Sequence, residues 1–311
     1  MNVNRGTIYG HALMSNAAFT LLDQQPEHDQ PIWVTVTDTE SFRELPETNR
    51  NVVPAVDVRP LADGRIVAEI SGLGAFVLDP SHLGILAPPA RPGSGAIWQH
   101  TVYSWAIPLM LIRSGRLILH AAAIETTAGA LIVMGPSMRG KTSFAAEAMR
   151  SGYRLLGEDG IAIRIDESGR PIAYPGSRAL RLRHGLDGLP KVKETEEVQR
   201  QFRRTEPLPV AAVVALRERT DTGTHPEILG AAKAIGALRL NSFSFADSMA
   251  ALYPTFGALA RSVPVAAVSL RNGLPHLADE VDRLVRWAVS TEASPLLGAT
   301  DTLLKLGTQR G

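Results

Sequence analysis

Residues 135–142 read Gly-Pro-Ser-Met-Arg-Gly-Lys-Thr, and those residue types at that spacing suit one kind of chemistry, the cradling of a polyphosphate. Gly135 and Gly140 allow backbone N–H groups to converge on phosphate oxygens, and a helix that follows points its positive end at the same oxygens. In such a loop Lys141 bridges the β- and γ-phosphates and the Thr142 hydroxyl sits on Mg²⁺. Pro136, Ser137 and Met138 complete the turn, and Ser143 extends the set of binding residues into the first helical turn. Arg139 either adds a donor to the phosphates or points to water. The motif implies ATP and Mg²⁺ as ligands.

Two further features stand at telling distances from this loop. His120 lies 15 residues before Gly135, and Glu158-Asp159 follow Lys141 by 17 and 18 residues. Adjacent carboxylates at a strand end beside a phosphate loop can divide proton transfer and Mg²⁺ binding between them. Taken alone, Gly157-Glu158-Asp159-Gly160 is an exposed turn and His120 a packed polar residue. His11 and His28 are isolated, and solvated or packed histidine is the better account of each. The chain has no cysteine, so disulfides, thiolate metal sites and cysteine nucleophiles are excluded together.

Leu119-His120-Ala121-Ala122-Ala123-Ile124, the loop 135–142 and Arg154-Leu155-Leu156-Gly157-Glu158-Asp159 resemble the catalytic domain of HPr kinase/phosphorylase. They are closer still to the HPr-kinase-like enzymes of lasso peptide gene clusters, which phosphorylate a serine of the precursor peptide. The resemblance covers about residues 100–290. It implies that His120 lies near the γ-phosphate, that Glu158 is the general base, and that Asp159 is the metal-side carboxylate with Thr142. The family usually has two aspartates here, so Glu158 is a departure. A second departure is Arg181, near the place of a metal-binding glutamate. Arg178, Arg181 and Arg183 then either contact phosphate or an acidic peptide, or form a solvated basic strand edge. The implied activity is a serine kinase acting on a peptide or small protein. A small-molecule kinase and a nucleotide-responsive binding protein without transfer activity are the rival readings.

The elements that must hold these residues are legible as patterns. Leu131-Ile132-Val133-Met134, Val210 to Leu216 and Val265 to Leu270 are continuous apolar runs, as expected for strands covered on both faces. Residues 1–95 read as a β-rich N-terminal domain, with strands at 31–37, 65–70 and 75–78. A Pro/Gly break at 88–95 precedes an α/β domain over 96–290, which the resemblance implies is HPr-kinase-like, and 291–311 form a small polar tail. Helices are expected at 96–113, 142–150, 245–261 and 276–289. Lys191 to Arg204, with five basic and three acidic residues, reads as a mobile loop in which Arg203 or Arg204 either steadies a phosphoryl group or is solvated.

The formal charge of +1 in 311 residues supplies no global attraction to nucleic acid or to an anionic membrane. Met1 to Thr7 lacks the apolar core of a signal peptide, and the most apolar stretch, Trp105 to Ile112, is too short to span a bilayer and contains Pro108. The expectation is a cytoplasmic protein with no nucleic-acid or membrane partner. A homo-oligomer is allowed.

Overall fold

The computed structural model describes residues 4–19, 29–37, 56–70, 74–90, 95–177, 179–184, 192–243 and 249–292. β1 (Asn4–Ile8) and β2 (His11–Ser15) form a hairpin whose two turn residues, Tyr9 and Gly10, take φ of 55° and 80°. Positive φ at both positions matches the right-handed twist of the flanking strands, but a bulky aromatic pays for it. β3 (Asp29–Val36), β4 (Val56–Pro60), β5 (Ile66–Ile70), β6 (Gly74–Asp79) and β7 (Gly84–Ala87) complete a seven-stranded sheet, ordered β1-β2-β3-β7-β6-β5-β4.

One helical rod follows: α1 (Gly95–Thr101), a π turn over Val102–Ala106, and α2 (Ile107–Arg113). Pro108 has no N–H to complete the ladder one turn back, and the widened turn sits just ahead of it. The second half contains β8 (Leu117–Leu119), β9 (Ala121–Thr126), β10 (Gly129–Met134), α3 (Lys141–Arg150), β11 (Leu155–Gly157), β12 (Ile161–Ile165), β13 (Pro171–Tyr174), β14 (Ala179–His184) and β15 (Val192–Glu197). It ends with β16 (Leu208–Leu216), β17 (Glu227–Ile228), α4 (Ala231–Leu240), α5 (Met249–Ser262), β18 (Val265–Val268) and α6 (Leu277–Glu292). Nine of these strands form one mixed sheet. β10 lies inside it, antiparallel to β9 and parallel to β16, and β16 is parallel to β18. The protein is thus mixed α/β with two large sheets. Among the described residues no helix is long and apolar enough to cross a membrane.

The apolar runs are explained by what covers them. Leu131 and Val133 of β10 join Phe144 and Ala148 of α3 and Val281 and Leu284 of α6 in one core cluster. Ala130, Ile132 and Met134, on the opposite face, join a second cluster. That cluster also takes in Trp98, Tyr103 and Leu109 of the helical rod and Leu13, Ile32, Phe76 and Ile85 of the first sheet. Side chains alternate in a strand, so a strand buried on both faces must be apolar at every position. The first sheet and the second half of the chain therefore share a core.

The stretch 191–204 departs from its expectation as a mobile loop. β15 pairs with β14 over six residues, and Arg200–Phe202 form a 3₁₀ turn. Ladder pairing is a backbone property and needs no apolar side chains, so a charged strand can form wherever a partner edge is offered. The expected tail beyond 292 and Phe245 to Ser248 lie outside the described residues.

Gly129 provides a test of the sheet. It sits at φ 128°, and a Cβ there would lie 2.4 Å from the Pro209 carbonyl oxygen of neighbouring β16. Backbone on both sides cannot yield cheaply. Gly129→Ala is expected to destabilise the protein by about 2–4 kcal/mol. A urea melt should show a lower midpoint at unchanged slope; an unchanged midpoint would contradict the packing.

Candidate functional site

The loop 135–140 leaves the carboxyl end of β10 and enters α3 at Lys141. Gly135 (φ 153°) and Gly140 (φ 106°) hold conformations that L side chains resist, and a Cβ on Gly135 would touch the Leu216 backbone at 3.0 Å. Met138 reaches φ 68° and is exposed to solvent with Pro136 and Ser137. Lys141 is buried. Its Nζ donates to the carbonyls of Gly135 at 2.7 Å and Pro136 at 3.3 Å, so the ammonium lies inside the curve of the loop. The amides at the start of α3, including those of Thr142 and half-buried Ser143, have no intrahelical acceptor. Arg139 donates to Glu218 Oε1, a surface carboxylate, at 2.7 Å.

The carboxylates arrive from the turn after β11. Glu158 is buried, and its Oε1 accepts a hydrogen bond from Thr142 Oγ1 at 2.5 Å. Asp159 takes φ 65°, a left-handed conformation that aspartate tolerates better than most residues. The two neighbouring carboxylates consequently face different partners. Asp159 Oδ2 is 3.4 Å from His100 Nε2, and Oδ1 is 3.6 Å from His120 Nε2. Burial works to raise the Asp159 pKa, but hydrogen bonding and charge from the two histidines outweigh it. The carboxyl is held well below the usual range and stays ionised.

His120 occupies the break between β8, which pairs with β12, and β9, which pairs with β10 and β11. Its N–H donates to the Asn241 carbonyl at 2.7 Å, its ring lies 5.6 Å from that of Phe243, and its side chain is about a third exposed. His100 comes from α1, is buried, and meets Ser104 Oγ through Nδ1 at 3.3 Å. Nothing in the residue pattern singled it out, although a histidine and a serine four apart within an apolar helix were the available signal.

Tyr9 was missed as well. Its hydroxyl donates to the Tyr103 carbonyl at 3.1 Å and lies against Gly160, where a Cβ would stand 2.2 Å from that oxygen. Burial first, then the charges of Asp159 and Glu158, push the phenol up and keep it neutral. Its N–H donates to the Pro175 carbonyl. The first sheet thus supports the turn that carries both carboxylates.

Arg178 lies outside the described residues. Arg181 and Arg183 stand on β14, in register with Thr195 and Lys193 of β15. Arg203 is buried and donates to the Gly176 carbonyl at 3.3 Å, and Arg204 pairs with Glu125 and Glu206. Both are parts of the framework beside the site.

The arrangement suits a polyphosphate with a divalent cation. A buried ammonium sits within a glycine-cornered loop, and a hydroxyl and a carboxylate adjoin it. Among the described residues no three His, Cys, Asp or Glu side chains are arranged to hold a metal by themselves. Mg²⁺ does not require that: one or two carboxylates and phosphate oxygens complete its shell.

No protein-family model matches the chain, and no curated protein matches it. Among solved structures, the Hpr(Ser) kinase/phosphatase from Coxiella burnetii is similar over 57% of this chain and 99% of that one, at 12% identity and a TM-score of 0.35. Such a likeness carries no inference about activity.

The histidine bracket generates a prediction. Removing either partner of a buried polar contact leaves the other desolvated without compensation. A double-mutant cycle of His100→Ala and Asp159→Asn, read by urea unfolding, is expected to give a coupling energy of at least about 1 kcal/mol. Additive effects would mean that the two groups do not interact.

Proposed function

We propose that the chain is an ATP- and Mg²⁺-dependent kinase that phosphorylates a serine hydroxyl of a peptide or small protein. One observation carries the reading: Thr142 Oγ1 meets Glu158 Oε1 at 2.5 Å next to a buried Lys141, with an ionised Asp159 one residue away. The resemblance to lasso-cluster tailoring kinases supports a precursor peptide as the acceptor.

The roles divide by geometry. Lys141 and the backbone N–H groups of residues 135 and 137–143 hold the β- and γ-phosphates. Thr142 and Glu158 would hold Mg²⁺, which when bound would neutralise charge on the phosphate oxygens. This assignment exchanges the two carboxylates relative to the expectation from motif order, because the Thr142 hydroxyl meets Glu158 and not Asp159. Asp159 accepts the hydrogen bond of the serine hydroxyl and takes its proton as the new bond to the γ-phosphorus forms and the bond from that phosphorus to the bridging oxygen breaks, releasing ADP. A carboxylate with a depressed pKa is a weak base, but phosphoryl transfer passes through a loose transition state in which positioning and charge neutralisation dominate. His120, partly exposed beside Asp159, is placed to meet the transferring group, and His100 fixes the carboxylate from behind.

Three variants test the division with radiolabelled ATP and a serine peptide. Lys141→Ala is expected to abolish transfer while the fold survives; near-normal turnover would remove the loop from the active site. Asp159→Asn should cut turnover on the order of 10²-fold or more at an unchanged Mg²⁺ midpoint. Glu158→Gln should shift that midpoint upward. The reverse pattern would return the base role to Glu158 and the metal to Asp159.

A further inference from the structure

β10, β16 and β18 are parallel, so the segments that follow β16 and β18 open on the same edge as the motif loop. Ligands of parallel α/β sheets bind outside the carboxyl ends of the strands. On that edge lies a cavity of about 310 Å³, walled by Thr222 and Thr224 after β16, Arg271 after β18, and Asp279, Glu280 and Arg283 of α6. Its size is at the lower end of small-molecule sites, roughly 300–1,000 Å³.

Arg219 bridges the motif loop and the cavity wall. A Cβ on Gly140 would meet the Arg219 guanidinium at 2.5 Å, and Arg219 Nη1 donates to the Arg271 carbonyl at 3.1 Å. Thr220 and Asn272 tie the two segments together through backbone hydrogen bonds. A ligand anchored at Gly140 can therefore reach the cavity past Arg219 without crossing the sheet.

The lining selects the kind of ligand. Arg283 is already neutralised, paired with Glu280 and donating to the Thr224 carbonyl at 2.6 Å. Glu280 is buried and Asp279 stands exposed in the first turn of α6. His225 and Arg286 also line the cavity, so three arginines stand against two carboxylates and the fixed charges nearly balance. A wall of that kind suits a neutral group rich in donors and acceptors. Arg271 adds a planar cation at the wall, and its Nε is buried with no hydrogen-bond partner among the described residues.

We propose that this cavity receives the nucleoside end, base and ribose, of the nucleotide whose phosphates the motif loop holds; the proposal rests on that reading of the loop. The Arg271 guanidinium offers a flat cation to a heterocycle. The Thr222 and Thr224 hydroxyls and the Asp279 carboxylate offer the polar edge that hydroxyls and ring nitrogens require.

Calorimetric titration of the full chain with Mg·ADP and with Mg·pyrophosphate separates the two ends of the ligand. Arg271→Ala is expected to weaken ADP by at least about tenfold and pyrophosphate by less than about twofold. Asp279→Ala, at an exposed position, carries the same expectation and decides the matter if Arg271→Ala fails to fold. Equal losses of both probes, or an unchanged ADP affinity, would overturn the nucleoside site. Lys141→Ala reports on the loop alone: it should weaken both probes, and pyrophosphate binding that survives it would overturn the loop reading instead.

Discussion

Everything near the site depends on β10 being buried on both faces. Two hydrophobic layers close on it, one built from α3 and α6, the other from the helical rod and the first sheet. A strand in that position cannot shift by one residue, because each side chain would pass into the wrong layer. Its carboxyl end is fixed in consequence, and with it Gly135, the curve of the loop and the start of α3. The ammonium of Lys141 can be buried there because the carbonyls of Gly135 and Pro136 accept from it. A charge buried without such partners would be expensive.

The second constraint is local and conformational. Glu158 and Asp159 are adjacent, and two adjacent carboxylates sharing one partner would repel. The left-handed turn at Asp159 sends them to different neighbours: Glu158 to the Thr142 hydroxyl, Asp159 to two histidines. Gly160 must follow, since the Tyr9 hydroxyl occupies the space of any side chain there. The site thus separates one carboxylate that meets a hydroxyl from another that stays ionised among imidazoles.

What could be read in the sequence, and what could not, follows from range. The loop 135–142 and the runs that became β10, β16 and β18 are contiguous, and their character is set by local geometry and by burial on two faces. His120, Glu158 and Asp159 could be flagged because they lie at short, fixed distances from the loop in the chain. Which carboxylate meets Thr142 was not legible, since it is decided by one backbone φ and not by residue type. His100 and Tyr9 reach Asp159 through tertiary packing and belong to no motif. The β14–β15 hairpin was hidden for another reason: its charged residues obscure a pairing made by the backbone.

The place of Tyr9 says something about why the first sheet is there at all. An aromatic residue at positive φ in a tight hairpin is strained, and such strain persists only when surroundings over-determine it. Here the surroundings are the Tyr103 carbonyl, the Pro175 carbonyl and the bare face of Gly160. Arg164 adds hydrogen bonds to the Tyr9 carbonyl and to His11, and stacks over Tyr174. The hairpin tip is therefore clamped by residues that flank the carboxylate turn on both sides in the chain. Movement of the first sheet relative to the nine-stranded sheet would pull Tyr9 from Gly160 and free the turn that aims Glu158 and Asp159. The N-terminal strands are a buttress of the site, and the position of the two carboxylates is a property of the whole molecule.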